Sequence, residues 1–582
     1  IILTNLKNVT SSTEKDDIPI TDVYFGLFDN NIISIKDLNA ANATDNEKAV
    51  YNTFVSSRKY TLDNLSDILK NSHTELYNLS DQYQNYMEFI CETLSDKGIY
   101  DSSAVDQESS TYTDYVTDKI SLYEYLKYSI SQGIKNIDDI ETHSDYYDTD
   151  EIYDVVVDYV LKEFDDDADF DKLIFKYMIL SGEITGSQVI SLLYDQGVLD
   201  STTDEDYDSF TSGTMGSFEF IYRKIQKLEL TPAMLALDPC SGSIVVTDTE
   251  TGKVKAMAIY PSYDNNKLTN VIDADYYDKI TSDKTTPMYN RATMQRTAPG
   301  STYKMLVSAA GLKEGAIDVG SVITDYGTFT KISPSPRCWL PGGHGALGLA
   351  EAIEVSCNGF FYEVGYRLAT DTNGVYQDAQ GIDKLQKYAT LFGLSKKSGV
   401  EIEEMEPHIS DSDAVRSSIG QGTNNYTPVQ LSKYVTAIAN EGKCYDLTLI
   451  NEIKNVEGRT VYQSDNIPEN TIDLTDSQWS VIKQGMRLMV SEHTSSYALI
   501  NQIDVAVAGK TGTAEEDLTR PDHALFVSFA PYENPEVSVT CVIPHGCTSG
   551  NAEELAGMVY AYMYDPDKLN TGGITGNNLI SD

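Results

Sequence analysis

A serine and a lysine three residues apart, Ser301 and Lys304, stand in the run Pro299-Gly300-Ser301-Thr302-Tyr303-Lys304. Serine is a poor nucleophile at its free pKa. A lysine at i+3 shares its helix face and can take its proton once burial or a neighbouring cation lowers the amine pKa. Pro and Gly punctuate a turn here, and the apolar run 305–310 predicts a helix beginning at or beside Ser301. The free N–H groups at such a helix start favour the charge of an alkoxide or an oxyanion. Alone, the pair also fits an ordinary capped helix with a surface lysine. It has company. Ser356-Cys357-Asn358 follows 55 residues after Ser301, and Lys510-Thr511-Gly512-Thr513 follows the alternating run 505–509, which places it on a strand.

Ser-x-x-Lys, Ser-x-Asn and Lys-Thr-Gly in this order form the motif set of penicillin-binding proteins and class A β-lactamases. From about residue 228 to 565 the chain resembles the transpeptidase module of class B penicillin-binding proteins, nearest the elongation-type, penicillin-binding protein 2 branch of clostridial relatives. Supporting runs are Asp248-Thr249-Glu250-Thr251-Gly252, Tyr260-Pro261-Ser262-Tyr263-Asp264, Tyr289-Asn290-Arg291-Ala292, Ile419-Gly420-Gln421-Gly422, Thr427-Pro428-Val429-Gln430-Leu431 and Phe529-Ala530-Pro531. The resemblance implies that Ser301 attacks the D-Ala-D-Ala end of a peptidoglycan stem peptide and that Lys304 is the base. It makes Ser356 a proton relay, Asn358 a donor-peptide contact and Lys510 an electrostatic anchor. Thr511, Gly512 and Thr513 would bind the substrate carboxylate, and the Ser301 and Thr513 N–H groups would form the oxyanion hole. It also implies acylation by β-lactams, a SEDS-family glycan polymerase as partner, and a place on the outer face of the cell membrane, anchored by a segment upstream of residue 1. A β-lactam sensor or a serine β-lactamase/carboxypeptidase on the same fold is the rival.

One departure adds chemistry. Cys357 occupies the middle of the second motif; His344 lies thirteen residues before it and Cys338 six before that, in Arg337-Cys338-Trp339-Leu340-Pro341-Gly342-Gly343-His344. Two thiolates and an imidazole suit tetrahedral Zn²⁺ with one ligand missing, and Asp325 is the nearest upstream carboxylate in a turn-like stretch. Zinc-carrying members of this branch are similar, so a structural Zn²⁺ beside the active site is expected. The alternative is a buried Cys357, a free Cys338 and a loop His344. Cys541, His545 and Cys547 are a second group, but Val537, Val539, Cys541 and Ile543 alternate on one strand face, which makes Cys541 core. Asp522-His523, after the third motif, either approaches the active site or is a solvated loop, and a loop His favours the second.

Two kinds of scaffold must carry these residues. Short apolar runs at 243–247 and 254–259 flank a hairpin signal, and runs at 505–509, 524–530 and 537–543 precede a helix at 552–564. An α+β fold is expected, the first hairpin joining the last three strands in one antiparallel sheet covered by helices. Residues 1–225 read as a mainly helical, acidic, non-catalytic pedestal, 226–566 as the transpeptidase domain and 567–582 as a flexible tail. In 141–170 there are 12 acidic residues and one Lys, yet Ile152, Val155, Val156, Tyr159, Val160 and Phe164 recur at helical spacing. The acidic load is thus expected on the solvated faces of helices. Stretches 101–114 and 200–216 read as loops. With 582 residues, 43 Lys+Arg against 89 Asp+Glu and a net charge of −46, the chain repels phosphate backbones, so no nucleic-acid partner is expected. Seven cysteines, an odd and scattered count, argue against a disulfide framework and for a metal site or buried free thiols.

Overall fold

The computed structural model describes residues 1–569 except 102–104, 134–147, 466, 494–498 and 518. The chain forms two units: Lys7–Ser11 with Pro19–Glu229, and Ile1–Leu6 with Ser12–Ile18 and Leu230–Asp582. Two N-terminal segments thus belong with the second unit, which a single cut near residue 225 does not anticipate. Lys15 pairs there with Asp522 at 2.7 Å, and Asn5 donates to Cys547 Sγ at 3.1 Å. Most of the expected tail, 570–582, lies outside the described residues, as do 141–147 of the acidic stretch.

The first unit is built of helices. Thr149–Glu163 begins at a capping box in which Asp148 accepts from the Glu151 N–H and Glu151 reaches back to the Asp148 N–H. Its buried stripe is Tyr153, Val156, Val157, Val160 and Phe164, while Ile152, Val155 and Tyr159 are only half-buried. The apolar face is therefore turned by one residue from the expected one, because Tyr153 takes the inward position and donates to Leu69 O at 2.9 Å. Phe164 stacks on Phe170, and Phe175 on Phe28 and Phe54, with ring centroids 4.3–4.9 Å apart. Asp154 and Asp158 face solvent as expected. The stretch 200–216 is more than a loop: it holds a short helix, and its Asp204 and Asp206 ligate the fully buried Lys224.

In the second unit, β1 (Gly242–Asp248), β2 (Val254–Tyr260), β3 (Ala508–Ala514), β4 (His523–Ala530) and β5 (Val537–Ile543) form one antiparallel sheet in the order β3-β4-β5-β1-β2. The register Val539↔Val246 ties the first hairpin to the last three strands, as expected. The period-2 pattern of β4 fills two cores: Ala524, Phe526 and Ala530 share one with Cys541 and the helix Ser549–Tyr564, and Leu525, Val527 and Phe529 lie in the other. That second core holds α1 (Lys304–Lys313), α2 (Asn358–Leu368) and α3 (Pro428–Ala439). Every residue of α1 from Lys304 to Leu312 is buried, so this helix is a central post without a solvent face. α3 starts on Thr427, whose side chain accepts from the Gln430 N–H with Pro428 at the first turn, which accounts for the Thr427-Pro428-Val429-Gln430 run. α4 (Asp476–Ser491) packs against the helix Leu349–Glu354 and against β3.

Candidate active site and metal centre

Ser301 sits in a 3₁₀ turn, Gly300–Tyr303, that feeds directly into α1. In such a turn residues i and i+3 eclipse, so Ser301 and Lys304 share a face. Backbone proximity decides the surrounding residue types. Gly300 has φ +50°, and a Cβ there would lie 2.7 Å from Thr513 O; a Cβ on Gly420 would lie 2.0 Å from Gly300 O. Gly300 N–H donates to Gly420 O at 3.1 Å, which gives the Ile419-Gly420-Gln421-Gly422 run its role as a backbone brace for the Ser301 turn. On the other side, a Cβ on Gly512 would lie 2.8 Å from Pro299 O, so β3 must pass this turn bare. The motif strand begins at Ala508 and carries Lys510 through Thr513 in its middle, three residues later than the alternating run implies.

Lys304 is completely buried, and its Nζ donates to Asn358 Oδ1 at 2.7 Å, Ser356 O at 2.9 Å and Ser356 Oγ at 3.2 Å. Burial pulls its pKa from the ordinary lysine range to about 7. Lys510, also completely buried, donates to Thr511 O at 3.0 Å and is held well below its ordinary value, first by burial and then by the Lys304 charge. Ser356 adopts φ +54°, an uncommon left-handed conformation for a serine, between the helix Leu349–Glu354 and α2. Ser301, Ser356, Asn358, Thr511 and Thr513 all line one cavity of about 570 Å³. The expected motif residues are therefore brought together around one space.

The four expected metal ligands also converge. One ligand atom from each of Asp325, Cys338, His344 and Cys357 lies within 4.8 Å of all the others. His344 Nδ1 is 3.0 Å from Asp325 Oδ2 and 3.4 Å from Cys338 Sγ, and Cys357 Sγ is 3.2 Å from Asp325 Oδ2. The approach of Asp325 depends on Gly359, where a Cβ would lie 2.1 Å from Asp325 Oδ1. Interaction with the Cys357 thiol lowers the Cys338 pKa to about 6, and Cys357 is raised by Cys338 and by burial. A dication bound here would displace any proton that remains on these sulfurs. Two sulfurs, an imidazole and a carboxylate within this space fit Zn²⁺. Among the described residues no second group of this kind forms: Cys541 is core, and Cys547 takes the Asn5 amide. His523 is not a solvated loop residue. It opens β4, is almost fully buried, and its ring lies between Glu516 Oε2 at 3.2 Å and the His545 N–H at 3.0 Å.

Several cavity residues escaped sequence reading. Trp339 donates from Nε1 to Ser356 O at 3.1 Å, so the loop that carries Cys338 and His344 also supports the second motif. Glu354 and His493 line the same cavity, and Glu516 accepts from the Ala298 N–H at 2.7 Å just before the nucleophile turn. Only the motif context could have flagged Trp339 and Glu354; nothing local marks His493 or Glu516.

The model of the penicillin binding protein transpeptidase domain matches residues 242–561, more than half of the chain. The chain belongs to the penicillin-binding protein transpeptidase family. The peptidoglycan D,D-transpeptidase MrdA of Haemophilus influenzae is 29% identical over 365 residues, covering 56% of this chain and 53% of that protein. The peptidoglycan D,D-transpeptidase PbpA of Mycolicibacterium smegmatis is 30% identical over 333 residues, covering 53% of this chain and 62% of that protein. The match thus spans little more than half the length of these relatives. A Pseudomonas aeruginosa PBP2 solved in complex with WCK 5153 aligns with TM-score 0.49 and 27% identity over 57% of this chain and 76% of that one. Within the matched residues, Ser301 lies in the turn before α1 and Lys304 opens α1, Ser356 and Cys357 precede α2 and Asn358 opens it, and Lys510 to Thr513 lie on β3.

Proposed function

We propose that the chain is a class B, penicillin-binding protein 2-type peptidoglycan D,D-transpeptidase that cross-links stem peptides through a Ser301 acyl-enzyme. The observation that carries this reading is Lys304: wholly buried, bonded to Ser356 and Asn358, one helical turn from a serine that shares a cavity with Thr511 and Thr513. Neutral Lys304 takes the Ser301 proton as Oγ attacks the carbonyl of the penultimate D-Ala. The Ser301 and Thr513 N–H groups receive the oxyanion. The proton returns through Lys304 and Ser356 to the leaving D-Ala amine as the C–N bond breaks. Thr511 and Thr513, with Lys510 behind them, bind the terminal carboxylate. Attack by an amine of a second stem peptide on the ester releases Ser301 and makes the cross-link. A β-lactam follows the first half and stays attached.

Asp325, Cys338, His344 and Cys357 would hold a structural Zn²⁺, whose contribution is to fix the Cys357 backbone between Ser356 and Asn358. Because stem peptides lie outside the cytoplasmic membrane, the chain would act on that side. The helical unit would meet a SEDS-family polymerase. No helix among the described residues is long and apolar enough to cross a membrane.

Intact mass after incubation with a penicillin tests the reading. A single persistent adduct on the wild type, absent in Ser301→Ala, is expected. Hydrolysed penicillin without an adduct would establish a β-lactamase instead. An adduct without cross-linking of stem peptides would establish a sensor.

A further inference from the structure

The active-site cavity carries one carboxylate among its described lining residues, Glu354, two positions before Ser356. Its side chain is only 18% exposed, and its ion-pair contact among the described residues is His493 Nε2 at 3.8 Å, longer than a hydrogen bond. A largely buried carboxylate with so distant a partner is poorly compensated. Burial accordingly raises the Glu354 carboxyl above the ordinary glutamate value. The remaining charged groups of the active site are the buried lysines Lys304 and Lys510, which suit the donor's carboxylate and leave Glu354 without a function in acylation. Nothing in that half-reaction uses an anion at this wall.

The second half-reaction does. We propose that Glu354, paired with His493, is the subsite for the acceptor ammonium of the second stem peptide. The inference rests on the transpeptidase reading and assigns the residues that receive its second substrate. A primary amine is an ammonium at neutral pH, and a carboxylate on the wall of the cavity that Ser301 also lines both concentrates it and repels the donor-type carboxylate from the wrong place. In the step itself, the ammonium leaves one proton with the Glu354–His493 pair. Its nitrogen then bonds to the acyl carbon as the bond from that carbon to Ser301 Oγ breaks. A second proton passes to Ser301 Oγ through Lys304 and Ser356, and the third stays on the new amide.

The test uses the full chain, a D-Ala-D-Ala thioester analogue as donor, and two nucleophiles: a lysine-bearing tripeptide and uncharged hydroxylamine. The readout is the nucleophile concentration that diverts half of the acyl-enzyme from hydrolysis, a ratio independent of how fast acylation occurs. Glu354→Gln should raise this concentration about tenfold for the lysine peptide, the size of one charge-assisted hydrogen bond, and leave that for hydroxylamine unchanged. Glu354→Asp should recover part of the loss. No change for the lysine peptide, or an equal change for both nucleophiles, would overturn the proposal. Failure of the wild type to form a penicillin adduct at Ser301 would overturn the transpeptidase reading itself, a result separate from either partition outcome.

Discussion

Lys304 is where the chemistry of this site is decided. Sequence places a lysine three residues after a serine; tertiary burial lowers its pKa to about 7 and gives it three acceptors on the second motif. Since a lysine with lowered pKa is protonated below that value and a free base above it, the β-lactam acylation rate should rise with pH through about 7 and level off above it. Stopped-flow acylation across this range checks it; a rate still climbing near the ordinary lysine value of about 10.4 would mean that Lys304 keeps its solution pKa. Lys304→Arg retains charge but cannot lose its proton, so acylation should fall by roughly 10²–10⁴-fold. Ser356, Asn358 and Lys510 were legible by type and order, but the approach of Glu354 to His493 was not, because no spacing rule links the end of one helix to a residue beyond the end of another when the two meet only at a cavity.

At the scale of elements, glycines decide how closely the parts approach. Gly512 lets β3 run 2.8 Å, measured from its absent Cβ, from the carbonyl of Pro299. Gly512→Val should therefore displace the nucleophile turn and lower acylation by about 10²-fold, the size expected of a displacement near 1 Å, with circular dichroism near normal. Unchanged acylation would mean that the strand and turn do not depend on this contact. Gly359 does the same for the approach of Asp325 to Cys357. Gly359→Ala should lose zinc, as Cys357→Ser should, from a wild-type content of about one per chain, measured by elemental analysis of protein purified without chelator. Equal zinc in both variants and the wild type would place the metal elsewhere. The motif residues were readable here, whereas the glycines' partners, Thr513, Pro299 and Asp325, come from distant parts of the chain.

At the scale of the molecule, two units with their own cores should unfold in two calorimetric transitions. A cation held only by the folded second unit stabilises that unit by mass action. A strong chelator should therefore lower one transition by several degrees and leave the other in place; a common shift of both, or of neither, would contradict a zinc site confined to the second unit. The interleaving of Ile1–Leu6 and Ser12–Ile18 with Leu230–Asp582 also means that the helical unit is removed cleanly only between its own boundaries.

What the sequence determined by itself is local or combinatorial: helices from a 3.6-residue period, the β1–β2 hairpin from its turn residues, strands from alternation, and the chemistry from three motifs in a fixed order. These depend on residue type and short spacing, which the chain carries without folding. Other features belong to the tertiary structure alone: the one-residue rotation of the Thr149–Glu163 face, the burial of His523 and Lys224, the brace of Gly420 on Gly300, and the placing of Glu354 in the cavity that Ser301 and Ser356 line. Each is set by which distant atoms compete for the same small space. Burial, φ and pKa follow from that competition, and no local pattern encodes it.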